Sequence, residues 1–368
     1  MNKFFFELAL AGVQQLVPYV PGKPVDELQR ELGLTEVIKL ASNENPLGTG
    51  SKVSAAIQAT LPELARYPDG SGFSLKAALS AKLGVAPEQI TLGNGSSEIL
   101  ELVMRTFVTP EHDVVFSQHA FALYPILTQA VGAKAISVPA INYGHDLTTM
   151  LSRVTDKTRV LFIANPNNPT GTLLPRHELE TFLAALPTQV LCVLDEAYYE
   201  FVQPEFRTES LDWPNRYPNL IVTRTFSKAY GLAGLRIGFG ISSPDVADLL
   251  NRVRQPFNSN MLALAAAEAA LSDKDYLNET LTINNAGMKQ LTDAFSALDL
   301  EWIPSSGNFV SVDVKQNAKP IYEALLQKGV IVRPVANYEM PKHLRISIGT
   351  QRENQIFIQA LSEVLQGV

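Results

Sequence analysis

The sequence predicts an α/β protein: a mostly parallel central sheet with helices on both faces, joined to a smaller α+β domain. Three observations lead there. Strands that are apolar on both faces alternate with helical segments through the middle of the chain. Such strands belong in sheets covered on both sides. The texture changes after about Pro256, where long helices lead into short strands. The first 50 residues, rich in Pro, Gly and Asn, read as an arm. The expected division is therefore an arm over 1–50, a large domain over 51–260 and a small domain over 261–368.

Taken in order, "LVPYVPGKP" and "ASNENPLGTG" read as extended chain around one helix, "VDELQRELG". Their Pro, Gly and Asn residues interrupt regular structure. "GFSLKAALSAKLG" carries apolar residues at three- and four-residue spacing, as a helix with one buried face requires. "QITLG" is a strand. "SSEILELVMRTFV" is a helix opened by serines that suit an N-cap. "DVVFS" is a strand and "LYPILTQAVG" a helix. "RVLFIAN", "QVLCVLD" and "NLIVTRTF" are apolar strands, with the helix "RHELETFLAAL" between the first two. Beyond Pro256 come helices in "MLALAAAEAALS" and "YLNETLTINNAGMKQLTDAFSAL". The strands "NFVSVDV", "GVIVRP" and "HLRISIG" and a closing helix follow. Alternation in "HLRISIG" puts His343, Arg345 and Ser347 on one face and Leu344, Ile346 and Ile348 on the other.

The bulk properties narrow the function. The 368 residues are 46% hydrophobic and 18% charged, ordinary for a soluble globular protein. A net charge of −7 argues against a surface dedicated to nucleic acid or anionic membrane. The single cysteine, Cys192, cannot form an internal disulfide and reads as a small core residue. The start, "MNKFFFELALAG", faintly suggests a signal peptide, but Glu7 interrupts a very short apolar run. No stretch reaches the roughly 18 apolar residues of a membrane span. A cytoplasmic protein is expected. The five histidines show no metal-binding spacing, and no metal is expected.

In open α/β sheets ligands bind beyond the carboxyl ends of the strands. The residues found there are Asn168 in "NPNNPTG", then Asp195 and Tyr198, then Ser227 and Lys228. "NGSSE" opens a helix at the end of another strand. Together they offer an amide, a carboxylate, a phenol, an amine and an anion-binding helix start. Pyridoxal 5'-phosphate would use each one. Its aldehyde needs a lysine. Its ring nitrogen needs a carboxylate that keeps it protonated. Its phosphate suits a helix N-terminus, here Gly95, Ser96 and Ser97, with Arg236 adding a charge-assisted contact. "YGLAGLRIG" lacks the G-x-G-x-x-G order of a dinucleotide loop, which counts against a nicotinamide oxidoreductase.

The motifs "PYVPGKP", "SNENPLG", "RYPDG", "GNGSSE", "NPNNPTG", "LDEAYYEF", "TFSKAYGLAGLRIGF" and "HLRISIG" follow one another in that order. In this the chain resembles the fold-type I, pyridoxal-phosphate-dependent aminotransferases across nearly its whole length, and among them the histidinol-phosphate aminotransferase branch. The resemblance implies that Lys228 is the Schiff-base lysine and general base, with Asp195 on the pyridine nitrogen. Asn168 and Tyr198 would meet the ring's phenolic oxygen. Thr225, Ser227 and Arg236 would join Gly95, Ser96 and Ser97 around the phosphate. Phe121 or Tyr124 would stack on the ring. Arg345, with Arg333 beside it and hydroxyls from Tyr19 and Tyr67, would bind the substrate's anionic end. Tyr67 would reach the neighbouring site of a homodimer. The implied reaction exchanges the amino group between L-histidinol phosphate and 2-oxoglutarate. An aromatic aminotransferase and a pyridoxal-phosphate decarboxylase of a phosphorylated amino acid are the alternatives.

Overall fold

The structure, a computed structural model, describes residues 4–19 and 21–367. In chain order its strands are β1 (Ile38–Lys39), β2 (Ile90–Gly93), β3 (Asp113–Ser117), β4 (Lys134–Val138), β5 (Thr158–Ala164), β6 (Leu191–Asp195) and β7 (Leu220–Thr225). Then come β8 (Gly238–Ile241), β9 (Glu301–Ile303), β10 (Phe309–Asp313), β11 (Val330–Ile331), β12 (Arg333–Pro334) and β13 (His343–Ser347). Seven of them form the large sheet in the order β2-β8-β7-β6-β5-β3-β4. All neighbours are parallel except β8, which runs against both β2 and β7. Reversing twice leaves β2 parallel to the others, so its carboxyl end joins theirs on one rim.

Side chains alternate across the sheet as the pleat requires. Val114, Phe116, Val160, Phe162 and Val193 enter one apolar cluster, while Val115, Leu161, Ile163, Cys192 and Leu194 enter another. Both faces are therefore dry, which explains why these strands read as unbroken apolar runs. Burial pushes the Cys192 thiol up to about 12, so it stays protonated and inert.

The small sheet, β12-β13-β10-β9, is antiparallel. Leu344, Ile346 and Ile348 pack with Val310 and Val312 against the helices Lys274–Ala297, Ala318–Gln327 and Gln351–Gln366. The opposite face of β13 turns Arg345 and Ser347 toward the large sheet, as the alternation anticipates. β1 pairs with β11, and Ile38 and Leu40 complete this same core. The arm is thus stitched into the small domain by a strand.

Four details differ from expectation. The arm begins with two short helices, Phe4–Leu8 and Ala11–Gln14, rather than extended chain. "KAISV" and "GFGI" are strands β4 and β8, although the first is too exposed and the second too rich in glycine to announce itself. "GVIVRP" is two strands, since β11 pairs with β1 and β12 with β13. The helix Met261–Ser272 packs on the large domain: Ala263, Ala266, Ala267 and Ala270 share a cluster with Leu75, Leu79 and Phe239. Leu277 and Leu281 of the next helix also pack on this side, so contact with the large sheet's surroundings continues past residue 260.

Candidate active site

The carboxyl ends of β2, β5, β6 and β7 converge on a cavity of about 170 Å³ closed by the arm and the small sheet. Its chemistry follows from strand register. Asp195 ends β6 opposite Thr223 of β7. Thr223 Oγ1 donates to Asp195 Oδ1 at 3.0 Å. On the other oxygen, Tyr124 donates its hydroxyl to Oδ2 at 2.9 Å. Burial raises the Asp195 pKa, and the two hydroxyl donors oppose that rise. The next pair in register points to the opposite face. There Arg224 Nε and Nη2 both donate to Glu196 Oε2, at 3.1 and 2.9 Å, with the guanidinium stacked 3.4 Å over the Tyr199 ring. This buried ion pair pins the ends of β6 and β7 together from behind.

Lys228 follows β7 by three residues. Its Nζ donates to the Ser42 carbonyl at 3.0 Å, and no carboxylate is among its hydrogen-bond partners. Desolvation, then the Arg345 charge, brings its pKa down to about 7. An amine in this state is a nucleophile at neutral pH, which a solvated lysine is not.

Tyr198 lies beside Lys228, whose Nζ is 5.8 Å from the phenol ring centroid. Its oxygen accepts from Asn43 Nδ2 at 2.9 Å and from Asn168 Nδ2 at 3.2 Å. Burial pushes the Tyr198 hydroxyl up to about 12. Asn168 Oδ1 in turn accepts from Arg345 Nη1 at 2.6 Å, and Arg345 Nη2 donates to the Ala41 carbonyl at 2.6 Å. Arg345 is 6% exposed, and its Nε is buried without a partner. Arg333 sits opposite Arg345 across β12 and β13, with its guanidinium 5.5 Å from the Tyr19 ring centroid. Two guanidinium groups on adjacent strands make a strongly cationic wall.

At the other end of the cavity, Gly95 turns the chain with φ 78° into the helix Ser96–Phe107. Ser96, Ser97, Thr225, Ser227 and Arg236 line this end. Arg236 Nη1 donates to Ser227 Oγ at 3.2 Å. A Cβ at Gly95 would collide with the Arg236 guanidinium, and one at Gly238 with the Ser96 backbone nitrogen. These glycines let the arginine and the helix start close on one point, making a cradle for an anion.

The cavity brings together all the sequence-predicted residues except Gly95, Tyr67 and Tyr124. Gly95 lies just behind the lining. Tyr67 is 81% exposed, stacks on Phe257 with ring centroids 4.7 Å apart and does not line this chain's cavity. Phe121 lines the cavity. Tyr124 does not: it is buried beneath, parallel to Phe162 at 4.4 Å, with its hydroxyl on Asp195. Of the two aromatics, Phe121, the first choice for a stacking ring, is the one that faces the ligand space. Asn43, Thr223, Ser347 and the Ser42 carbonyl act in the site without having been singled out. "SNENPLG" contained two of them, but only the fold shows that this loop crosses back over β13.

The fold and the comparisons define the class: the chain belongs to the class I and II aminotransferase family, whose sequence profile matches residues 35–361. It is 59% identical over 365 residues to histidinol-phosphate aminotransferase 1 of Nitrosococcus oceani, covering 99% of each chain. It is 60% identical over 367 residues to histidinol-phosphate aminotransferase 2 of Pseudomonas fluorescens, again covering 99% of each. Among solved structures it is similar to histidinol-phosphate aminotransferase from Sinorhizobium meliloti in complex with pyridoxal-5'-phosphate. That match has a TM-score of 0.91 at 30% identity and covers 97% of each chain. Among the described residues, no cluster of His, Cys, Asp or Glu is placed to hold a metal ion, and no helix is long and apolar enough to cross a membrane.

The lowered Lys228 pKa gives a direct expectation. Only the neutral amine attacks an aldehyde, and the neutral fraction falls as pH drops through about 7. Uptake of pyridoxal phosphate by the cofactor-free protein should be flat above that pH. Below it the rate should fall about tenfold per unit. Stopped-flow absorbance at a series of pH values measures this. A lysine near its ordinary value would instead give rates still rising through pH 9 to 10.

Proposed function

We propose that the protein transfers the amino group of L-histidinol phosphate to 2-oxoglutarate, giving imidazole acetol phosphate and L-glutamate, a step of histidine biosynthesis. The protein is a pyridoxal-phosphate-dependent aminotransferase, and a biosynthetic role of this kind suits the cytoplasm. The observation that carries the substrate reading is the paired guanidinium groups of Arg333 and Arg345 at one end of a cavity that holds a near-neutral lysine at its centre.

The residues present fit the cofactor. Lys228 would hold its aldehyde carbon and Asp195 would face its ring nitrogen. The cradle of Gly95, Ser96, Ser97, Thr225, Ser227 and Arg236 would take its phosphate. Asn168 and Tyr198 would reach its phenolic oxygen, and Phe121 would lie against the ring. When bound, pyridoxal phosphate supplies a carbonyl that bonds the substrate amine and a ring that accepts electrons from the substrate carbon. The chain supplies the rest. Asp195 is desolvated, so its charge acts through a low dielectric on whatever faces it. Lys228, when its amine is free, would be the base that takes and returns the proton on the substrate's amine-bearing carbon. The arm and the small sheet line the cavity and narrow it.

One pocket must accept a phosphate monoester in one half-reaction and a dicarboxylate in the other. Guanidinium forks bind both kinds of oxygen pair, and two together suit a dianion best. Arg345, whose Nε is still unpartnered, would contact either substrate, with Arg333, Tyr19 and the neighbour's Tyr67 adding donors. The proposed active unit is a homodimer in which Tyr67 completes the other subunit's site. Its exposure and its place outside its own cavity support this.

Two measurements test the reading. Arg333→Ala should reduce kcat/KM for histidinol phosphate more than for glutamate, whereas Arg345→Ala should reduce both, by about ten- to a hundredfold for a charge-assisted contact. Wild-type protein that prefers phenylalanine, with histidinol phosphate turnover unchanged in Arg333→Ala, would instead establish an aromatic aminotransferase. For the dimer, mixing Tyr67→Phe with Lys228→Ala subunits should restore one native site per mixed pair. Full activity in a strictly monomeric preparation would rule out a shared site.

A further inference from the structure

Tyr198 is the phenol expected to meet the cofactor, yet a hydroxyl can either donate or accept, and the two have opposite effects on a neighbouring oxygen. The surrounding network decides between them. Arg345 can only donate. Its Nη1 therefore fixes the Asn168 amide with Oδ1 toward the guanidinium and Nδ2 toward Tyr198. The Asn43 amide takes the matching orientation from the other side. Ser347 Oγ accepts from the Asn43 backbone N–H at 2.7 Å and donates to Asn43 Oδ1 at 3.1 Å. Asn43 Nδ2 faces Tyr198, where it donates at 2.9 Å. In this arrangement the phenol oxygen accepts two amide hydrogen bonds. Its own proton has to leave in the remaining direction, into the cavity that Tyr198 lines.

We propose that Asn43 is a positioning residue that, with Ser347, compels the Tyr198 hydroxyl to act as a hydrogen-bond donor toward the cofactor. Asn168 has a second task, because it answers to Arg345 and so to whatever anion occupies the substrate pocket. Asn43 answers only to Ser347 and the backbone. It is 1% exposed and sits at φ 53°, a conformation asparagine tolerates better than most residues, and its carbonyl accepts from Asn308 Nδ2 at 3.0 Å. The backbone is therefore anchored at its N–H and its carbonyl and the side chain at Ser347, with the amide N–H aimed at the phenol. The inference rests on the proposed contact between Tyr198 and the cofactor and adds the residue that fixes the polarity of that contact.

The consequence is a shift in a titration rather than only a loss of rate. A donor draws negative charge from the cofactor's phenolic oxygen, so the proton bound nearby is released at lower pH. Without Asn43 the Tyr198 proton can turn away. The oxygen keeps more charge, and that proton is held more tightly. The experiment records visible absorbance against pH for the cofactor-loaded protein. It compares wild type, Asn43→Gly, Ser347→Ala, Tyr198→Phe and the double variant Asn43→Gly/Tyr198→Phe. Glycine keeps the positive φ and removes only the side chain. Ser347→Ala leaves Asn43 in place but frees its amide, which keeps the test available if Asn43→Gly does not fold.

Asn43→Gly should raise the midpoint by about half to one pH unit, the worth of one hydrogen bond. Ser347→Ala should move it in the same direction. Adding Asn43→Gly to Tyr198→Phe should move it no further. A midpoint unchanged in Asn43→Gly and Ser347→Ala while Tyr198→Phe shifts it would overturn the role of Asn43 and leave the Tyr198 contact standing. Equal, additive shifts in the double variant would also overturn it. An unchanged midpoint in Tyr198→Phe would remove the contact itself and the inference with it.

Discussion

The structure turns on one half-buried amine that is partly desolvated. Lys228 sits at the closed end of a dry sheet, with Arg345 as a nearby positive charge and only the Ser42 carbonyl accepting from it in the described hydrogen bonds. Burying an unpaired ammonium is unfavourable, and the amine responds by losing its proton near neutral pH. Everything around it serves to keep that situation stable. The carboxylate that could have paired with it, Asp195, is occupied by Tyr124 and Thr223 instead. The carboxylate behind, Glu196, is neutralised by Arg224 on the far face of the sheet. The two buried carboxylates nearby, Asp195 and Glu196, already have their partners.

A second consequence concerns how the two domains are held. The hydrogen bonds that orient Tyr198 run from Ser347 through Asn43, Tyr198 and Asn168 to Arg345, and both ends lie on β13. Ser311 Oγ adds a bond to the Pro169 carbonyl. Tyr198 and Asn168 come from the large domain, Arg345 and Ser347 from the small one, and Asn43 from the arm. The site is therefore built at a junction of the two sheets and the arm, tied to β13 at Arg345 and Ser347. Buried polar groups of this kind are stable only when each finds a partner. The orphan Nε of Arg345 marks the place where a ligand's oxygen is still wanted.

Much of this was legible in the sequence, for physical reasons. Parallel strands buried on both faces are written as apolar runs, so β3, β5, β6 and β7 could be read directly, and the residues after them were the site. Lys228, Asp195, Tyr198, Asn168 and Arg236 needed only that rule and the motifs. β4 and β8 were hidden because a partly exposed edge strand and a glycine-rich strand carry little apolar signal. The packing of Met261–Ser272 beside the large sheet was hidden because alanine faces pack on either side equally well; which side Ala263 and Ala267 meet is decided by tertiary contact. Tyr124 stayed second choice to Phe121 as a stacking ring, rather than being ruled out, because local sequence gives the aromatic but not its depth. Asn43 was missed because its partners, Tyr198 and Ser347, lie 155 and 304 residues away. Hydrogen bonds of that range leave no spacing pattern to find.

The central claim is that Lys228, through its desolvated amine, is where the chain binds its cofactor covalently. The most direct measurement is to load the protein with pyridoxal phosphate, reduce it with borohydride, digest it and locate the modified lysine by mass spectrometry. The account predicts a stable adduct on the peptide containing Lys228 and on no other lysine, and none in Lys228→Ala. An adduct on a different lysine, or one that persists in Lys228→Ala, would contradict it.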